Sequence, residues 1–286
     1  MKNFKYFIEF LFIIFLFLIF KLIGLNFSRI FSAKLFSILG PFFRSKEIIF
    51  DNISIAYPDS DKDYKKLISK KMWENYGKIF SEYMFIKNFR KSNSENLLEI
   101  SGQKILNQIK FSKKPVVFIS GHFDNFELMA MHIEKSGIDL TAIYRPLNNI
   151  FLNPIMEKIR ENYICQKQIK KGISGTKEIL KNFKLGSSIA LMIDQRVSQG
   201  IRSPLFSKNA LTTTIPGQFI KKFKCEVVPI FIERKKDQNF RLEIMKPISF
   251  QNDFSVEDIT RELNKVLEKM IRKNPYQWIW SHDRWK

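Results

Sequence analysis

Short apolar segments alternate with amphipathic ones from residue 116 onward, and this alternation constrains the fold of the 286-residue chain more than any other feature. We predict strands at 116–119, 140–144, 189–193, 227–232 and 241–245, and helices near 125–135, 153–164, 174–183, 212–223 and 256–273. Strands that alternate with helices favour a mainly parallel central sheet with helices on both faces. The sequence therefore predicts an α/β fold whose ligands bind at the carboxyl edge of the sheet.

The first 25 residues predict a membrane helix in front of this sheet. From Phe4 to Leu25 the chain is almost entirely Phe, Ile and Leu, and a helix of that length would run about 33 Å, enough to cross the hydrocarbon core of a bilayer. A cleaved signal peptide is the alternative, although no small-residue cleavage site follows. Because more basic residues follow the span than precede it, the positive-inside rule places the large domain, residues 26–286, in the cytoplasm.

Two further segments carry features of a membrane interface. Residues 27–45 have apolar side chains at helical spacing with interspersed cations. This pattern fits a helix that lies at the interface, and it fits an ordinary core helix equally well. Near the carboxyl terminus, Trp278, Trp280 and Trp285 are interleaved with charged residues. Tryptophan is favoured at membrane interfaces, so we expect this tail to contact one.

The formal charge of +20, from 48 Lys and Arg against 28 Asp and Glu, calls for an anionic partner. Nucleic acid, anionic lipid headgroups and an acidic or phosphorylated protein are the candidates. The basic residues are dispersed and no nucleic-acid-binding module is recognisable, so we expect no nucleic acid. Cys165 and Cys225 lack paired spacing, which favours a reducing compartment. Neither a Gly-rich phosphate loop nor a metal-ligand spacing is present, so we expect no cofactor and no metal.

A His-x-x-x-x-Glu motif follows the strand at 116–119, and it predicts acyl transfer. A neutral His122 could take the proton of an acceptor hydroxyl as that oxygen attacks an acyl carbonyl. Such a base works best when a carboxylate fixes its tautomer and stabilises the imidazolium, and Glu127 could be that carboxylate. The spacing of Asp124 and Glu127 also matches a capping box, which explains the glutamate equally well.

Two arginines are candidates for substrate binding. Arg145 directly follows the strand at 140–144, and Arg160 lies on the next helix, which we expect Asn153 to cap and Pro154 to begin. An arginine at either position could bind a phosphate or a developing oxyanion. Arg160 could equally be a solvated surface residue.

Asp194 comes directly after the apolar strand at 189–193. If this strand lies parallel to the one at 116–119, Asp194 reaches the same edge of the sheet as His122. A helix cap or a structural salt bridge would also explain an aspartate here. We expect Asp194 to bind or orient substrate.

Taken together and in this order, these blocks resemble the late acyltransferases of lipid A biosynthesis, the lauroyl and myristoyl transferases of the lysophospholipid acyltransferase superfamily. The resemblance covers nearly the whole chain. Besides the amino-terminal helix, it rests on Asn52 to Pro58, Gly121-His122 with Glu127, Tyr144-Arg145-Pro146, Arg160, Asp194, Pro204-Leu205-Phe206 with Ala210 and its threonines, Val228-Pro229, and Trp280 to Lys286. Two departures are Asp283, where the family often has a basic residue, and Gln195-Arg196, in place of a commoner acidic or His-containing pair.

The resemblance implies an inner-membrane enzyme whose active site faces the cytoplasm. Such enzymes move an acyl chain from acyl carrier protein to a hydroxyl of a phosphorylated, glucosamine-based lipid. His122 would be the general base and Glu127 its orienting partner, with Arg160 and Asp194 holding substrate. An acyltransferase with another acceptor, such as a lysophospholipid, an aminolipid or a glycosylated phosphoinositide, remains an alternative, as does a non-catalytic membrane scaffold.

Overall fold

A seven-stranded sheet forms the centre of the protein in the computed structural model, which describes residues 2–91 and 97–286. The strands are β1 (Leu98–Ser101), β2 (Val117–Ser120), β3 (Leu140–Tyr144), β4 (Lys167–Lys170), β5 (Ser188–Met192), β6 (Ile201–Leu205), β7 (Lys208–Thr212), β8 (Val227–Arg234) and β9 (Phe240–Ile244). The sheet order is β1-β9-β8-β2-β5-β3-β4, and β6 pairs with β7 in a separate hairpin. Within the main sheet, β8 and β9 are antiparallel and the other neighbours are parallel. The predicted α/β class with a mainly parallel sheet is confirmed.

Helices precede the sheet and connect its strands. They are α1 (Lys2–Phe43), α2 (Lys46–Ala56), α3 (Lys62–Glu82), α4 (Ile86–Lys91), α5 (Gln103–Ser112), α6 (Glu127–Lys135), α7 (Asn153–Tyr163), α8 (Ile173–Lys184), α9 (Ile215–Phe223) and α10 (Val256–Lys273). Asn153 is the first residue of α7, so the prediction that it caps this helix is wrong. The helix has no side-chain cap. The Asn153 side chain accepts from the Leu147 backbone N–H at 2.8 Å, and the Asn149 side chain accepts from the N–H groups of Phe151 at 3.0 Å and Leu152 at 3.2 Å, just before the helix.

The sheet register determines where the predicted site residues lie. β2 and β5 run parallel, with Ser120 opposite Met192 at their carboxyl ends. β3 pairs with the other side of β5, again in parallel. The segments that leave these three strands carry His122, Asp194 and Arg145. Parallel register alone therefore places them at one edge.

Helix α1 is long and apolar enough to cross a membrane, as predicted. It bends at Gly24, whose φ of 79° and ψ of 169° are not helical. This bend falls at the expected boundary between the membrane helix and the segment 27–45. Large apolar side chains, including those of Phe4, Phe12 and Leu22, stay exposed on the first part. Insertion of this helix into a membrane stays a prediction.

One face of α1 packs on the domain that contains the sheet. Phe17 and Phe20 are buried against Phe80 of α3, with ring centroids 5.2 and 5.9 Å apart. Beyond the bend, α1 approaches α3 so closely that a Cβ at Gly77 would lie 2.1 Å from the Ser32 carbonyl oxygen. The segment 27–45 is therefore fixed to α3 on one side, while Ile30 and Phe42 remain exposed on the other.

The carboxyl-terminal tail is part of the core, so the prediction that its tryptophans contact a membrane interface is wrong. Trp278, Trp280 and Trp285 are at most 5% exposed. The indole of Trp280 donates to the Pro275 carbonyl and that of Trp285 to the Leu205 carbonyl. Because each polar indole N–H finds a partner inside the protein, the large rings can be buried completely.

Candidate active site

His122 lies at the centre of the candidate site and is held by Asp194. The imidazole Nδ1 is 2.8 Å from Asp194 Oδ1, and the His122 backbone N–H donates to Asp194 Oδ2 over 2.7 Å. Each residue stands two positions beyond its strand, and the ends of these strands, Ser120 and Met192, are paired. The contact between them is therefore a direct result of the sheet register.

Asp194 is completely buried and accepts three N–H groups. The third donor is the Trp278 indole, whose Nε1 is 2.9 Å from Asp194 Oδ2. Burial alone would raise the pKa of Asp194, but the interactions with His122 and Trp278 outweigh it and hold this pKa below its ordinary value. Asp194 is therefore ionised at neutral pH.

The ionised Asp194 sets the protonation of His122. Burial acts to lower the pKa of His122, and the carboxylate outweighs it, so the pKa lies above its ordinary value of 6.5. Because an ionised carboxylate can only accept, Nδ1 of the neutral ring must carry the proton and Nε2 is left as an acceptor. The Phe126 ring packs edge-on against the imidazole, with centroids 4.7 Å apart. This arrangement suits a general base that acts through Nε2.

Glu127 binds Arg160, not His122. Arg160 donates to Glu127 Oε1 from Nε at 2.9 Å and from Nη2 at 2.8 Å, and the Tyr83 hydroxyl donates to the same oxygen. The expectation that Glu127 accepts the hydrogen bond of His122 is wrong, because Asp194 occupies that position. Glu127 nevertheless contributes, after Asp194, to the raised pKa of His122. The parts of Glu127 and Arg160 in catalysis stay predictions.

The capping box is also not formed, so the alternative explanation of Glu127 is wrong too. Helix α6 starts at Glu127 without a side-chain cap. The Asp124 carboxylate instead accepts from Arg234 Nη2 at 2.6 Å. Asp124 has a positive φ of 39°, so the turn that carries His122 has an uncommon backbone that its neighbours must hold.

A buried group of four charges, which we call the Glu82 cluster, holds this turn. It consists of Arg29 of α1, Glu82 of α3, Asp124 and Arg234 of β8, each at most 6% exposed. Glu82 Oε1 lies 2.6 Å from both Arg29 Nε and Arg234 Nη1. The Asn125 side chain adds a hydrogen bond of 2.8 Å to Glu82 Oε2. The cluster thus joins the part of α1 beyond Gly24 to the turn that carries His122.

A cleft of about 1630 Å³, counting space open to solvent, lies beside His122. Its polar lining includes Arg145, Arg160 and Gln195, and the Gln195 side-chain nitrogen is 3.5 Å from His122 Nε2. Apolar lining comes from α6, β3 and β5, including Ala130, Ala142, Ile143, Ala190, Leu191 and Met192. Four of the five predicted residues line this cleft, and Asp194 lies behind His122. The combination of a base, cations and an apolar wall suits a reaction on a polar group attached to a hydrocarbon chain.

Three residues near the site were not predicted. Gln195 lies beside His122 Nε2, Trp278 fixes Asp194, and His282 lines the cleft while its Nε2 accepts from the Arg196 backbone N–H at 2.9 Å. The available signal was the carboxyl-terminal motif, which places two indoles and a histidine within five residues. Only the folded tail reveals that Trp278 and His282 lie near the pair of His122 and Asp194, which we call the dyad.

The cysteines do not serve as nucleophiles in this geometry. Burial raises the pKa of the Cys165 thiol to about 12 and that of Cys225 to about 11, so both are protonated at neutral pH. Over residues 2–91 and 97–286, no group of three His, Cys, Asp or Glu side chains is placed to hold a metal ion. His122, bonded to Asp194, stays the candidate base of the described site.

We expect Trp278→Phe to slow turnover about tenfold, because it removes one hydrogen bond to the Asp194 carboxylate and keeps most of the ring. The pKa of the Asp194 carboxyl group should rise, and its interaction with the imidazolium form of His122 should weaken. Steady-state rates and a thermal melt check this result, with Trp285→Phe as the matched variant, because the Trp285 indole donates to the Leu205 carbonyl and not to Asp194. A rate loss of equal size in both variants would assign the effect to packing.

Known proteins resemble this chain along most of its length. The model of the family described as bacterial lipid A biosynthesis acyltransferase matches residues 1–286. A lipid A biosynthesis lauroyltransferase of Escherichia coli is 24% identical over 253 residues, which are 85% of this chain and 79% of that protein. A lipid A biosynthesis acyltransferase of Haemophilus influenzae is 22% identical over 259 residues, or 88% and 81% of the two chains. A lipid A biosynthesis palmitoleoyltransferase of Escherichia coli is 21% identical over 252 residues, or 86% and 80%.

The resemblance stated from the sequence motifs is confirmed by these matches. The dyad, the cleft and the match over every residue of the chain agree on one class of enzyme. The chain belongs to the bacterial lipid A biosynthesis acyltransferases.

Proposed function

We propose that this protein moves a fatty acyl chain from an acyl carrier protein thioester to a hydroxyl of a phosphorylated, glucosamine-based lipid A precursor. The observation that carries the proposal is the hydrogen bond between His122 and the buried, ionised Asp194 at the wall of a partly apolar cleft. The lauroyltransferase and palmitoleoyltransferase names of its relatives support a fatty acyl chain as the transferred group.

The reaction begins when the acceptor hydroxyl donates a hydrogen bond to His122 Nε2. As the oxygen attacks the thioester carbonyl, its proton moves to Nε2, and Asp194 stabilises the imidazolium that forms. The side-chain amide of Gln195 lies beside Nε2 and would donate to the tetrahedral oxyanion. Collapse of the intermediate breaks the C–S bond, and the imidazolium returns its proton to the leaving thiolate. No covalent acyl-enzyme is needed.

The charge and the amino-terminal helix suit this pair of substrates. Acyl carrier protein is acidic and the acceptor is phosphorylated, so a chain with a net charge of +20 attracts both. Insertion of α1 in the inner membrane would bring the cleft to the surface where such a lipid lies, with the domain in the cytoplasm. Arg145, exposed at the cleft, and Arg160, inside it, are the cations that we assign to substrate binding.

A transfer assay with the full-length protein in detergent tests the proposal. Radiolabelled acyl carrier protein thioesters of several chain lengths are offered with a tetra-acylated lipid A precursor, and His122→Ala serves as the inactive control. We expect wild type alone to label the precursor. Thioester binding without transfer would point to another acceptor, which parallel reactions with lysophospholipid and aminolipid would identify. Equal labelling by His122→Ala would contradict the mechanism.

A further inference from the structure

A second groove lies outside the catalytic cleft, between the end of α1, the start of α2 and the first half of α3. It has a volume of about 750 Å³, counting open space. Four cationic side chains line it, and none of its described lining residues is acidic. We call it the basic groove and define it by Arg44, Lys46, Lys66 and Lys70.

The charge of the basic groove is poorly neutralised by the protein itself. Lys66 contacts Asp63 at 2.7 Å, but both side chains are about half or more exposed, so this pair is weak. In the described part of the chain, Arg44 and Lys70 form no ion pair. The wall of the groove includes Trp73, which is 6% exposed and whose indole nitrogen has no hydrogen-bond partner among the described residues. Several cations around one groove, with a buried and unbonded N–H donor in its wall, favour the binding of an anion.

The position of the groove indicates that the anion belongs to a lipid. Phe42 and Phe43 directly precede Arg44, and their side chains are 83% and 77% exposed. Ile38 and Leu39, one turn earlier, are exposed as well. An apolar surface bordered by cations matches the boundary between hydrocarbon and headgroups, where lysine and arginine meet lipid phosphates.

Arg44 connects the basic groove to the chemistry, because it lines both this groove and the cleft that contains His122. The basic groove and the cleft therefore adjoin at Arg44. We propose that the basic groove binds a phosphate of the acceptor lipid and so orients the headgroup with its hydroxyl toward His122. This inference rests on the proposed function. A concave groove of this size suits a phosphorylated sugar better than the broad surface of an acidic protein.

The test compares two double variants of the full-length protein. Lys66→Ala with Lys70→Ala removes two charges from the groove, and Lys62→Ala with Lys71→Ala removes two charges from the same helix outside it. Each is assayed with the lipid A precursor and with the same precursor after phosphatase treatment. For the groove variant we expect KM for the phosphorylated acceptor to rise about 10- to 100-fold, since hydrogen bonds to charged groups are lost. KM for the treated acceptor and for the donor should not change, and the outside variant should match wild type.

Three outcomes would overturn the assignment. A KM that rises equally for both acceptors would mean that the groove does not bind the phosphate of the acceptor. A higher KM for the donor alone would make it a docking site for acyl carrier protein. Weaker binding to vesicles of zwitterionic lipid with anionic phospholipid, with an unchanged acceptor KM, would assign the cations to the bilayer.

Failure of the proposed function gives a different result, because wild type would then transfer to neither acceptor. In that case, binding of the phosphorylated precursor in the absence of donor tests whether the basic groove binds phosphate. Weaker binding by the groove variant than by the outside variant would support the assignment of the groove as a phosphate site, and equal binding by both would overturn it.

Discussion

Replacing Asp194 by Asn should reduce kcat about 10²- to 10⁴-fold while the protein stays folded. The side-chain amide introduced by this substitution would donate to His122 Nδ1, so the neutral imidazole would have to carry its proton on Nε2, the nitrogen that must accept from the substrate. The imidazolium would also lose its counter-charge. Steady-state transfer rates test this, and Asp253→Asn, an exposed change of the same kind, should behave as wild type.

In the Asp194→Asn variant, the acid limb of the pH profile of kcat/KM should shift to lower pH even though the maximum rate falls. His122 acts as a base only when it is neutral, so kcat/KM rises with pH through its pKa. Asp194 raises that pKa in the wild type, so the substitution lowers it and the acid limb shifts to lower pH, although the plateau falls. An acid limb that stays in place would contradict a dyad between these two residues.

A double variant separates the dyad from two independent contributions. If His122 and Asp194 act as a unit, His122→Ala with Asp194→Asn should be about as slow as His122→Ala alone. Additive losses would instead mean that Asp194 contributes through the backbone N–H of His122 or through Trp278, which it also binds.

The partner of His122 illustrates what the sequence could and could not predict. A His-x-x-x-x-Glu spacing is local, and it identified a carboxylate five positions away that in fact binds Arg160. The true partner is 72 positions away, and only strand register brings it close. Two apolar strands, one followed by His122 after a two-residue break and the other directly by Asp194, did predict that these residues share one edge of the sheet. The sequence could therefore predict that the two residues lie at the same edge of the sheet, but not that Asp194 is the hydrogen-bond partner of His122.

Segments with little apolar character were the least predictable. The edge strands β1 and β4 contain four residues each. Charged residues interrupt both of them, so they lack the apolar run that marks the central strands. The sequence predicts a helix near 212–223, which would begin at the threonines. In the structure Thr212 is the last residue of β7, and α9 begins only at Ile215. The buried position of the tail is hard to predict for a related reason, because its interleaved cations favour exposure. Arg284 is instead fully buried, donating to the Leu211 carbonyl and the Thr212 hydroxyl.

The Glu82 cluster could not be predicted at all, since its four members lie far apart in sequence. Its two arginines and two carboxyl groups balance in formal charge, although burial raises the pKa of Asp124 above its ordinary value of 3.8. Both guanidinium groups lie over the Phe240 ring, with Arg234 Cζ 4.5 Å and Arg29 Cζ 5.6 Å from its centroid. A balanced buried cluster adds little net stability over an apolar one, but removal of one member leaves a buried charge unpaired. The cluster is therefore a sensitive point of the fold.

Glu82→Gln should lower the free energy of unfolding by about 3–5 kcal/mol, because Arg29 and Arg234 lose their shared carboxylate in a dry site. Glu74→Gln on the same helix, which breaks a partly exposed pair with Lys71, should cost at most about 1 kcal/mol. Denaturant unfolding in detergent, followed through the buried indoles, measures both values.

The effect of acid on Glu82→Gln follows from the pKa of the carboxylate. Burial would raise the pKa of Glu82, but Arg234 and Arg29 outweigh it and hold this pKa below its ordinary value of 4.5. The stabilisation is therefore complete above that value and is lost as the pH falls through the lower pKa of the folded state. The gap between wild type and Glu82→Gln should shrink in the same range. A small gap at neutral pH, equal to that of Glu74→Gln, would mean that the part of α1 beyond Gly24 is not joined through Glu82 to the turn that carries His122.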